Sequence, residues 1–290
     1  MSTNRDDPRR RELITRGYCV FEDVLDRPML DELTHVTEAL LAGYAPEEAE
    51  RVRYQGSNVP VAYQDPVFPR LFARPEVLEA LGALGFADPK WWSAFLLSKP
   101  PHAPPLYWHQ DWWAWDDPVS ADPVPPQVFL MYYLTDTDRE NGCLRVIPGT
   151  HRRRIALHDA LPDAHTEKTH NAALDPESPL FARHPDEVDV PVKAGDVVIG
   201  DARLLHAAHG NRTDRRRSLL TLWYFPAYAA LSEPVRAFIA GHAPEPPPGL
   251  PETEEGGRFE RLIPRYAGSA EPAAWNRTPG IHLGTLPVPV

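Results

Sequence analysis

A histidine and an aspartate stand two residues apart in the stretch YWHQD at 107–111. In an extended chain, residues i and i+2 point to the same side, so His109 and Asp111 can offer an imidazole and a carboxylate to one metal ion. The pair alone is weak evidence, because a chain with 12 histidines contains about one such pair by chance. A surface or capping pair is the alternative interpretation.

A second segment supplies a possible third ligand. Gly195 and Asp196 form a turn signal, and the apolar residues that follow lead to His206. We interpret this segment as a strand that ends in His206, whose burial would be costly without a partner. Two histidines and one carboxylate form the facial triad of non-heme Fe(II) oxygenases, which leaves adjacent coordination positions open for a keto acid and dioxygen.

A basic run begins the next apolar segment. Arg217 is followed at once by the strand-like residues 219–225, so we expect its side chain to point inward. The planar fork of an arginine can bind a carboxylate through two hydrogen bonds, which suits a dicarboxylate co-substrate beside a metal. For Arg215 and Arg216 we expect a solvated position.

Several motifs then occur in a fixed order. They are KPP at 99–101, HQD at 109–111, NGCLRVIPGTH at 141–151, AGD at 194–196, and the single residues His206, Asn211 and Arg217. Together with GYCVF at 17–21 and the helix after it, this set resembles the phytanoyl-CoA dioxygenase family of Fe(II)/2-oxoglutarate-dependent oxygenases over about residues 12–228. The resemblance implies a mainly β fold with flanking helices, the double-stranded β-helix, which is a cupin-like jelly-roll barrel.

The resemblance also implies residue roles. The three iron ligands would be His109, Asp111 and His206. Arg217 would bind the distal carboxylate of 2-oxoglutarate, with help from Lys99, and Trp115 matches a position that lines the pocket in some relatives. His209 could be mistaken for the ligand, but the spacing from His206 to Arg217 matches the family pattern.

The activity implied by the resemblance is that of an Fe(II)/2-oxoglutarate-dependent dioxygenase. Such an enzyme oxidises, and most often hydroxylates, an unactivated C–H bond of a small molecule while 2-oxoglutarate becomes succinate and CO₂. Fe(II) is then the cofactor, 2-oxoglutarate and O₂ are co-substrates, and ascorbate is expected to stimulate turnover. The Ala/Arg/Pro-rich composition resembles that of high-GC bacteria, where relatives tailor specialised metabolites, and we expect a substrate of that kind.

Two other functions stay open at this point. A cupin-type metal enzyme, such as an isomerase or hydrolase, would need no 2-oxoglutarate and would leave Arg217 without this role. A binding protein could keep iron and 2-oxoglutarate without turnover. Asp111 argues against a halogenase, because related halogenases carry a small residue at this position.

Aromatic residues around the motif are candidates for the substrate pocket. They are Trp92, Trp112 and Trp113, together with Gln110. Trp91 and Trp92 alternate across a strand, so at most one of them faces the pocket. The polar insert 152–187 is the expected substrate lid, since long loops in such folds carry specificity, and its histidines are expected to be solvated.

The elements that must position these residues are short strands and a few helices. Apolar runs predict strands over 17–21, 91–97, 128–135, 143–147, 188–192, 197–199 and 217–225. Helical spacing predicts a helix after the N-cap Asp26 and another after Pro75. We expect 1–290 to form one domain, with a helical support at about 26–90, a barrel core at about 91–228 and a C-terminal extension at 229–290. Residues 1–11 are expected to be frayed, and 44–70 to be a loop.

Composition excludes several classes of partner. The formal net charge is −11, which argues against nucleic acid or an anionic membrane as the main partner. Two cysteines cannot form a disulfide framework, so a reducing compartment, the cytoplasm, is expected. No apolar run approaches the length needed to cross a bilayer, and the N-terminus lacks the apolar core of a secretory signal. A monomer and a homodimer are both compatible with the sequence.

Overall fold

The computed structural model of the chain describes residues 7–52, 56–162, 164, 166–167, 169, 175, 177–249 and 254–284. Within these ranges the strands are β1 (Tyr18–Phe21), β2 (Ser57–Pro60), β3 (Lys90–Lys99), β4 (Leu106–His109), β5 (Val128–Tyr133), β6 (Leu144–Val146), β7 (Val188–Val190), β8 (Val197–Asp201), β9 (His206–Ala208) and β10 (Arg217–Phe225). The α-helices are α1 (Pro8–Arg16), α2 (Arg27–Ala42), α3 (Pro46–Arg51), α4 (Val67–Phe72), α5 (Pro75–Ala83), α6 (Ala156–Ala160), α7 (Glu233–His242) and α8 (Glu254–Glu260).

The strands form two antiparallel sheets. The larger sheet has the order β1-β8-β5-β10-β3-β2, and the smaller has the order β4-β9-β6-β7. Side chains from both sheets meet in one buried cluster, in which Met131 and Leu219 of the larger sheet join Val146 of the smaller one. This arrangement, with helices against the larger sheet, confirms the predicted double-stranded β-helix.

The long apolar strands are buried on both faces. In β10, Leu220 and Leu222 belong to the cluster that packs against the helices, whereas Leu219 belongs to the cluster between the sheets. Successive side chains of a strand point to opposite faces, so a strand between two apolar layers must be apolar throughout. The same alternation directs Arg217, which has the parity of Leu219, into the barrel.

The N-terminal elements follow the predicted helix signals in part. Asp26 caps α2 by accepting a hydrogen bond from the Met29 amide at 3.0 Å, and α5 begins at Pro75, as predicted. The expectation that residues 1–11 are frayed is wrong for residues 8–11, which begin α1 with the side chain of Asp7 as its cap, and residues 1–6 lie outside the described part of the chain. The sequence gives no apolar periodicity that would predict this helix, because it is rich in charged residues and Leu13 is its only fully buried residue among those described.

Two further expectations need correction. The segment 44–70 contains α3, β2 and α4, whose short lengths and prolines conceal any period. His206 begins β9 and does not end the preceding strand, because a turn after Asp201 separates β8 from β9. The strands β7 and β8 lie in different sheets, since the turn between them crosses from one sheet to the other.

No helix in the described part of the chain is both long enough and apolar enough to cross a membrane.

Candidate active site

The two histidines of the predicted triad lie opposite each other on neighbouring strands. His109 ends β4, His206 begins β9, and the two residues pair in register. Asp111 follows β4, and its backbone N–H donates to the carbonyl of Ala202 at 2.8 Å. Strand pairing therefore brings His206, from a distant part of the sequence, to the neighbouring residues His109 and Asp111.

The side-chain atoms of the triad converge. The Oδ1 atom of Asp111 lies 3.8 Å from Nε2 of His109, and its Oδ2 atom lies 3.8 Å from Nε2 of His206. All three residues are buried, with at most 9% of their surface exposed. Two imidazoles and one carboxylate in a facial arrangement are the donor set that non-heme iron takes.

Hydrogen bonds set the tautomer of both histidines. The Nδ1 atom of His109 lies 3.0 Å from the carbonyl of Tyr107, and Nδ1 of His206 lies 3.0 Å from the carbonyl of Leu204. A carbonyl only accepts, so each Nδ1 must donate its proton. Each Nε2 then keeps a lone pair directed at the shared point, as metal-binding histidines require.

Two residues that sequence reasoning missed hold the carboxylate of Asp111. The indole Nε1 of Trp223 donates to Oδ2 at 2.9 Å, and Nη2 of Arg277 donates to Oδ1 at 3.3 Å. Trp223 could have been found, because it has the same strand parity as Arg217. Nothing in the local sequence marks Arg277, which reaches the triad from the C-terminal extension.

A small cavity of about 60 Å³ lies beside the triad, and we call it the inner cavity. The triad itself forms part of its wall, and the remaining lining residues are Leu97, Lys99, Leu106, Met131, Tyr133, Leu144, Ala207, Ala208, Arg217, Leu219, Thr221 and Trp223. Arg217 and Lys99 pair across β10 and β3, so two cationic side chains stand together in an otherwise largely apolar wall.

The electrostatics of this pair favour an anionic ligand. Arg217 is 3% exposed, its Nε has no hydrogen-bond partner, and among the described residues it forms no ion pair. Burial lowers the pKa of Arg217, and burial together with the charge of Arg217 lowers the pKa of Lys99 well below its ordinary value. A carboxylate bound here would offset both effects, because an opposite charge stabilises the charged forms.

Thr221 adds another polar group to the wall of the inner cavity. Thr221 is 1% exposed, and its Oγ1 has no hydrogen-bond partner. It lies on β10 between Leu219 and Trp223 in the inward parity, which is the sequence signal that could have found it. Its hydroxyl and the Arg217 guanidinium make the inner cavity suitable for a polar ligand.

A larger cavity of about 400 Å³ adjoins the first and shares Leu97, Asp111 and Trp223 with it; we call it the outer cavity. Trp92, one of the candidate pocket residues, lines this cavity. Trp91 is fully buried on the other side and stacks on Phe72, so only one of the two adjacent tryptophans faces a cavity.

The structure does not bring the other predicted pocket residues to either of these cavities. Trp115 is fully buried in a cluster with Phe225 and residues of α7, away from the inner cavity. The indole of Trp112 donates to Ser120 Oγ at 2.8 Å, and the side-chain amide of Gln110 donates to the carbonyl of Arg203. Trp113 does not line the outer cavity itself, but its ring stacks on that of the lining residue Trp275, with 5.5 Å between the ring centroids. After Asp111 the chain leaves the barrel and no longer alternates between inside and outside.

Two other histidines are placed by the structure outside the triad. The Nε2 atom of His209 lies 2.6 Å from Asp189 Oδ1, so this histidine is engaged elsewhere. His158, in the insert, is 4% exposed, and its burial lowers its pKa to about 4. The expectation that the insert histidines are solvated is wrong for His158, because α6 packs it against the barrel.

Comparison with known proteins agrees with this site. Residues 14–219 match the family model for phytanoyl-CoA dioxygenase. The ectoine dioxygenase of Sphingopyxis alaskensis is 27% identical over 75% of this chain and 75% of that protein.

Solved structures show the same fold. The S. alaskensis EctD structure with 2-oxoglutarate and 5-hydroxyectoine is 21% identical, with a TM-score of 0.56 over 80% of this chain and 79% of that one. The carbocyclase SnoK from nogalamycin biosynthesis is 23% identical, with a TM-score of 0.54 over 77% of this chain and 85% of that one. Since the family match extends over well more than half of its length, this chain belongs to the phytanoyl-CoA dioxygenase family of Fe(II)/2-oxoglutarate-dependent oxygenases.

Proposed function

We propose that His109, Asp111 and His206 hold Fe(II), and that Arg217 binds the distal carboxylate of 2-oxoglutarate in the inner cavity. One observation carries this assignment. A buried His-Asp-His triad and a buried arginine without an ion-pair partner among the described residues line the same cavity. A cupin-type enzyme that does not use 2-oxoglutarate has no use for such an arginine.

Bound iron and 2-oxoglutarate supply the oxidising power: O₂, 2-oxoglutarate and a C–H bond become succinate, CO₂ and an alcohol. The chain's own residues hold and orient the reactants. Arg217 offers its planar fork to the carboxylate. Lys99 Nζ, held by the carbonyl of Pro104 at 2.6 Å, adds a second positive charge.

Trp223 and Arg277 keep the Asp111 carboxylate in one orientation through hydrogen bonds to its two oxygens. Residues that orient a metal ligand in this way affect both metal affinity and activity. The apolar wall of the inner cavity, with Leu97, Met131 and Leu219, limits access of water to the reacting groups.

The substrate is a small molecule that occupies the outer cavity beside Asp111. The volume of about 400 Å³ is within the range of small-molecule sites. A specialised metabolite and a hydroxylation outcome are compatible with relatives named for ectoine and nogalamycin chemistry. Stimulation by ascorbate, a cytoplasmic location and a lid role for 152–187 stay predictions.

Anaerobic titration with Fe(II) and then 2-oxoglutarate tests the proposal. We expect a weak visible charge-transfer band in the wild type, and succinate formation on admission of O₂. Arg217→Leu should raise the KM for 2-oxoglutarate about a hundredfold, because two charge-assisted hydrogen bonds are lost.

Arg215→Leu is the matched control, since Arg215 lies two residues before the start of β10 and is exposed. Its KM should stay within about twofold of the wild type. An unchanged KM in Arg217→Leu would contradict the assigned role. A charge-transfer band without any succinate would favour a binding protein that does not turn over.

A further inference from the structure

Four large aromatic side chains line the outer cavity. Its rings come from Trp92, Phe95 and Trp223 on the barrel side and from Trp275 in the C-terminal extension. Phe95 and Trp223 meet edge to face at 5.8 Å, and Trp275 is fixed by stacking on Trp113 with an angle of 4° between their planes. Flat rings that are held in place on several sides favour a flat ligand with apolar faces.

A β-bulge brings Trp92 into this wall. Trp223 pairs with Ser93 and Tyr224 pairs with Trp91, so Trp92 is the extra residue of β3 and has no partner on β10. Bulges change the direction of a side chain and occur often beside active sites. The indole Nε1 of Trp92 is buried and has no hydrogen-bond partner.

Gln127 supplies the strongest polar signal in the same cavity. It is 1% exposed, and neither Oε1 nor Nε2 of its side chain has a hydrogen-bond partner. Gln110, which is buried to a similar extent, donates to the carbonyl of Arg203. A buried amide that lacks all partners is unfavourable, and in a cavity wall it indicates a group that a ligand completes.

The charged groups of the outer cavity are already engaged. Nη2 of Arg277 donates to the carboxylate of Asp111 and to the carbonyl of Gln110, while its Nε is buried without a hydrogen-bond partner. The Nδ1 atom of His242 is 2.8 Å from the carbonyl of Phe238, on whose ring the imidazole stacks. The described lining therefore offers hydrogen bonds and ring faces without a spare cation for an anionic substrate.

We propose that the outer cavity binds a neutral, flat ring compound that presents a hydrogen-bond donor and an acceptor side by side, as a cyclic lactam does, to the side-chain amide of Gln127. The ligand's N–H donates to Oε1, its carbonyl accepts from Nε2, and its ring packs against Trp92 and Trp275, whose ring centroids lie 6.5 Å apart. This inference rests on the proposed function, since it places the substrate beside the Asp111 ligand. Gln127 is a residue that selects the substrate and takes no part in the oxidation.

Four probe ligands test the inference by isothermal titration calorimetry, under anaerobic conditions, on the enzyme loaded with Fe(II) and 2-oxoglutarate. Quinolin-2(1H)-one is neutral and flat and carries the lactam edge. Its N-methyl derivative has the same ring without the donor. Naphthalene-2-sulfonate is flat and anionic, and L-proline is a zwitterion without an aromatic face. We expect the lactam to bind most tightly, and the N-methyl derivative about tenfold more weakly because one hydrogen bond is lost.

Gln127→Leu removes the amide while keeping an apolar side chain. It should weaken lactam binding about tenfold or more and abolish the preference over the N-methyl derivative. Its Tm should equal or exceed that of the wild type, because an unpaired buried amide is removed. Gln110→Leu is the matched control for stability, and its Tm should fall because the carbonyl of Arg203 loses its donor.

Three results would overturn the inference: no ring compound binds, the sulfonate or proline binds more tightly than the lactam, or Gln127→Leu lowers the Tm without changing the preference. Any of these, with the charge-transfer band and succinate formation intact, would leave the proposed function standing. Lactam binding without a charge-transfer band or succinate would instead refute the proposed function alone.

Discussion

The inner and outer cavities share the Asp111 side chain but are built in different ways. Apart from Asp111, the inner cavity is lined by residues of regular strands, and its polar groups are the triad, the cations Lys99 and Arg217, and the hydroxyls of Tyr133 and Thr221. The outer cavity depends on a β-bulge at Trp92 and on Trp275 and Arg277 of the C-terminal extension. In the proposed assignment, the barrel provides the site for iron and the shared co-substrate, and the C-terminal extension completes a separate site for the individual substrate.

A substitution in one cavity should leave the function of the other unchanged. The exceptions are Asp111 and the residues that donate to its carboxylate, Trp223 and Arg277. A variant in the inner cavity should remove turnover while leaving ring binding intact. A variant in the outer cavity should change ring binding while leaving the KM for 2-oxoglutarate intact. Three substitutions test this separation at decreasing size of effect.

The largest effect is expected for His206→Ala, which removes an iron ligand from the inner cavity. Succinate formation should fall more than about a thousandfold, because the metal loses one of its protein ligands. Binding of quinolin-2(1H)-one should stay within about threefold of the wild type, since His206 does not line the outer cavity.

His209→Ala is the control for that substitution, because His209 is only three residues away and bonds to Asp189. It should keep turnover within about threefold. Equal losses of turnover in the two histidine variants would show that the assignment of His206, and not His209, as the iron ligand is mistaken. Loss of ring binding in His206→Ala would show that the cavities are not separable.

Sequence reasoning predicted residues of the inner cavity because the alternation of side chains along a strand indicates which of them point inward. Arg217 could be placed inward from its position before an apolar strand, and Asp111 from its spacing to His109. The same reasoning failed after Asp111, where the chain turns out of the barrel and Trp112, Trp113 and Trp115 no longer alternate. It also could not predict the role of Arg277, which contacts Asp111 although the two residues are 166 positions apart in the sequence.

An intermediate effect is expected for Arg277→Leu, which removes the contact between the extension and the triad. Asp111 Oδ1 loses a donor, so iron affinity should fall about tenfold to a hundredfold while the KM for 2-oxoglutarate is unchanged at saturating iron. Iron titration followed by the charge-transfer band measures this effect, and Arg277→Lys should restore part of it.

Arg265→Leu is the control within the extension, because Arg265 is exposed and its ion pair with Glu245 is long, at 3.9 Å. Its iron affinity should match the wild type. If both arginine variants lose iron equally, the extension acts through general stability, and Arg277 has no specific positioning role.

The smallest effect on catalysis is expected for Trp115→Phe, which decides between the family resemblance and the observed packing. The resemblance assigns Trp115 to the pocket, whereas the structure packs it, fully buried, with Phe225, Tyr228 and Val235. The KM for 2-oxoglutarate should therefore stay within about twofold, while the free energy of unfolding falls by about 1–3 kcal/mol because a large buried ring is reduced. Lys99→Met serves as the contrasting variant, since Lys99 lines the inner cavity and its loss should raise that KM. A raised KM in Trp115→Phe without loss of stability would return Trp115 to the pocket, and would mean that the inner cavity extends beyond the strands that now enclose it.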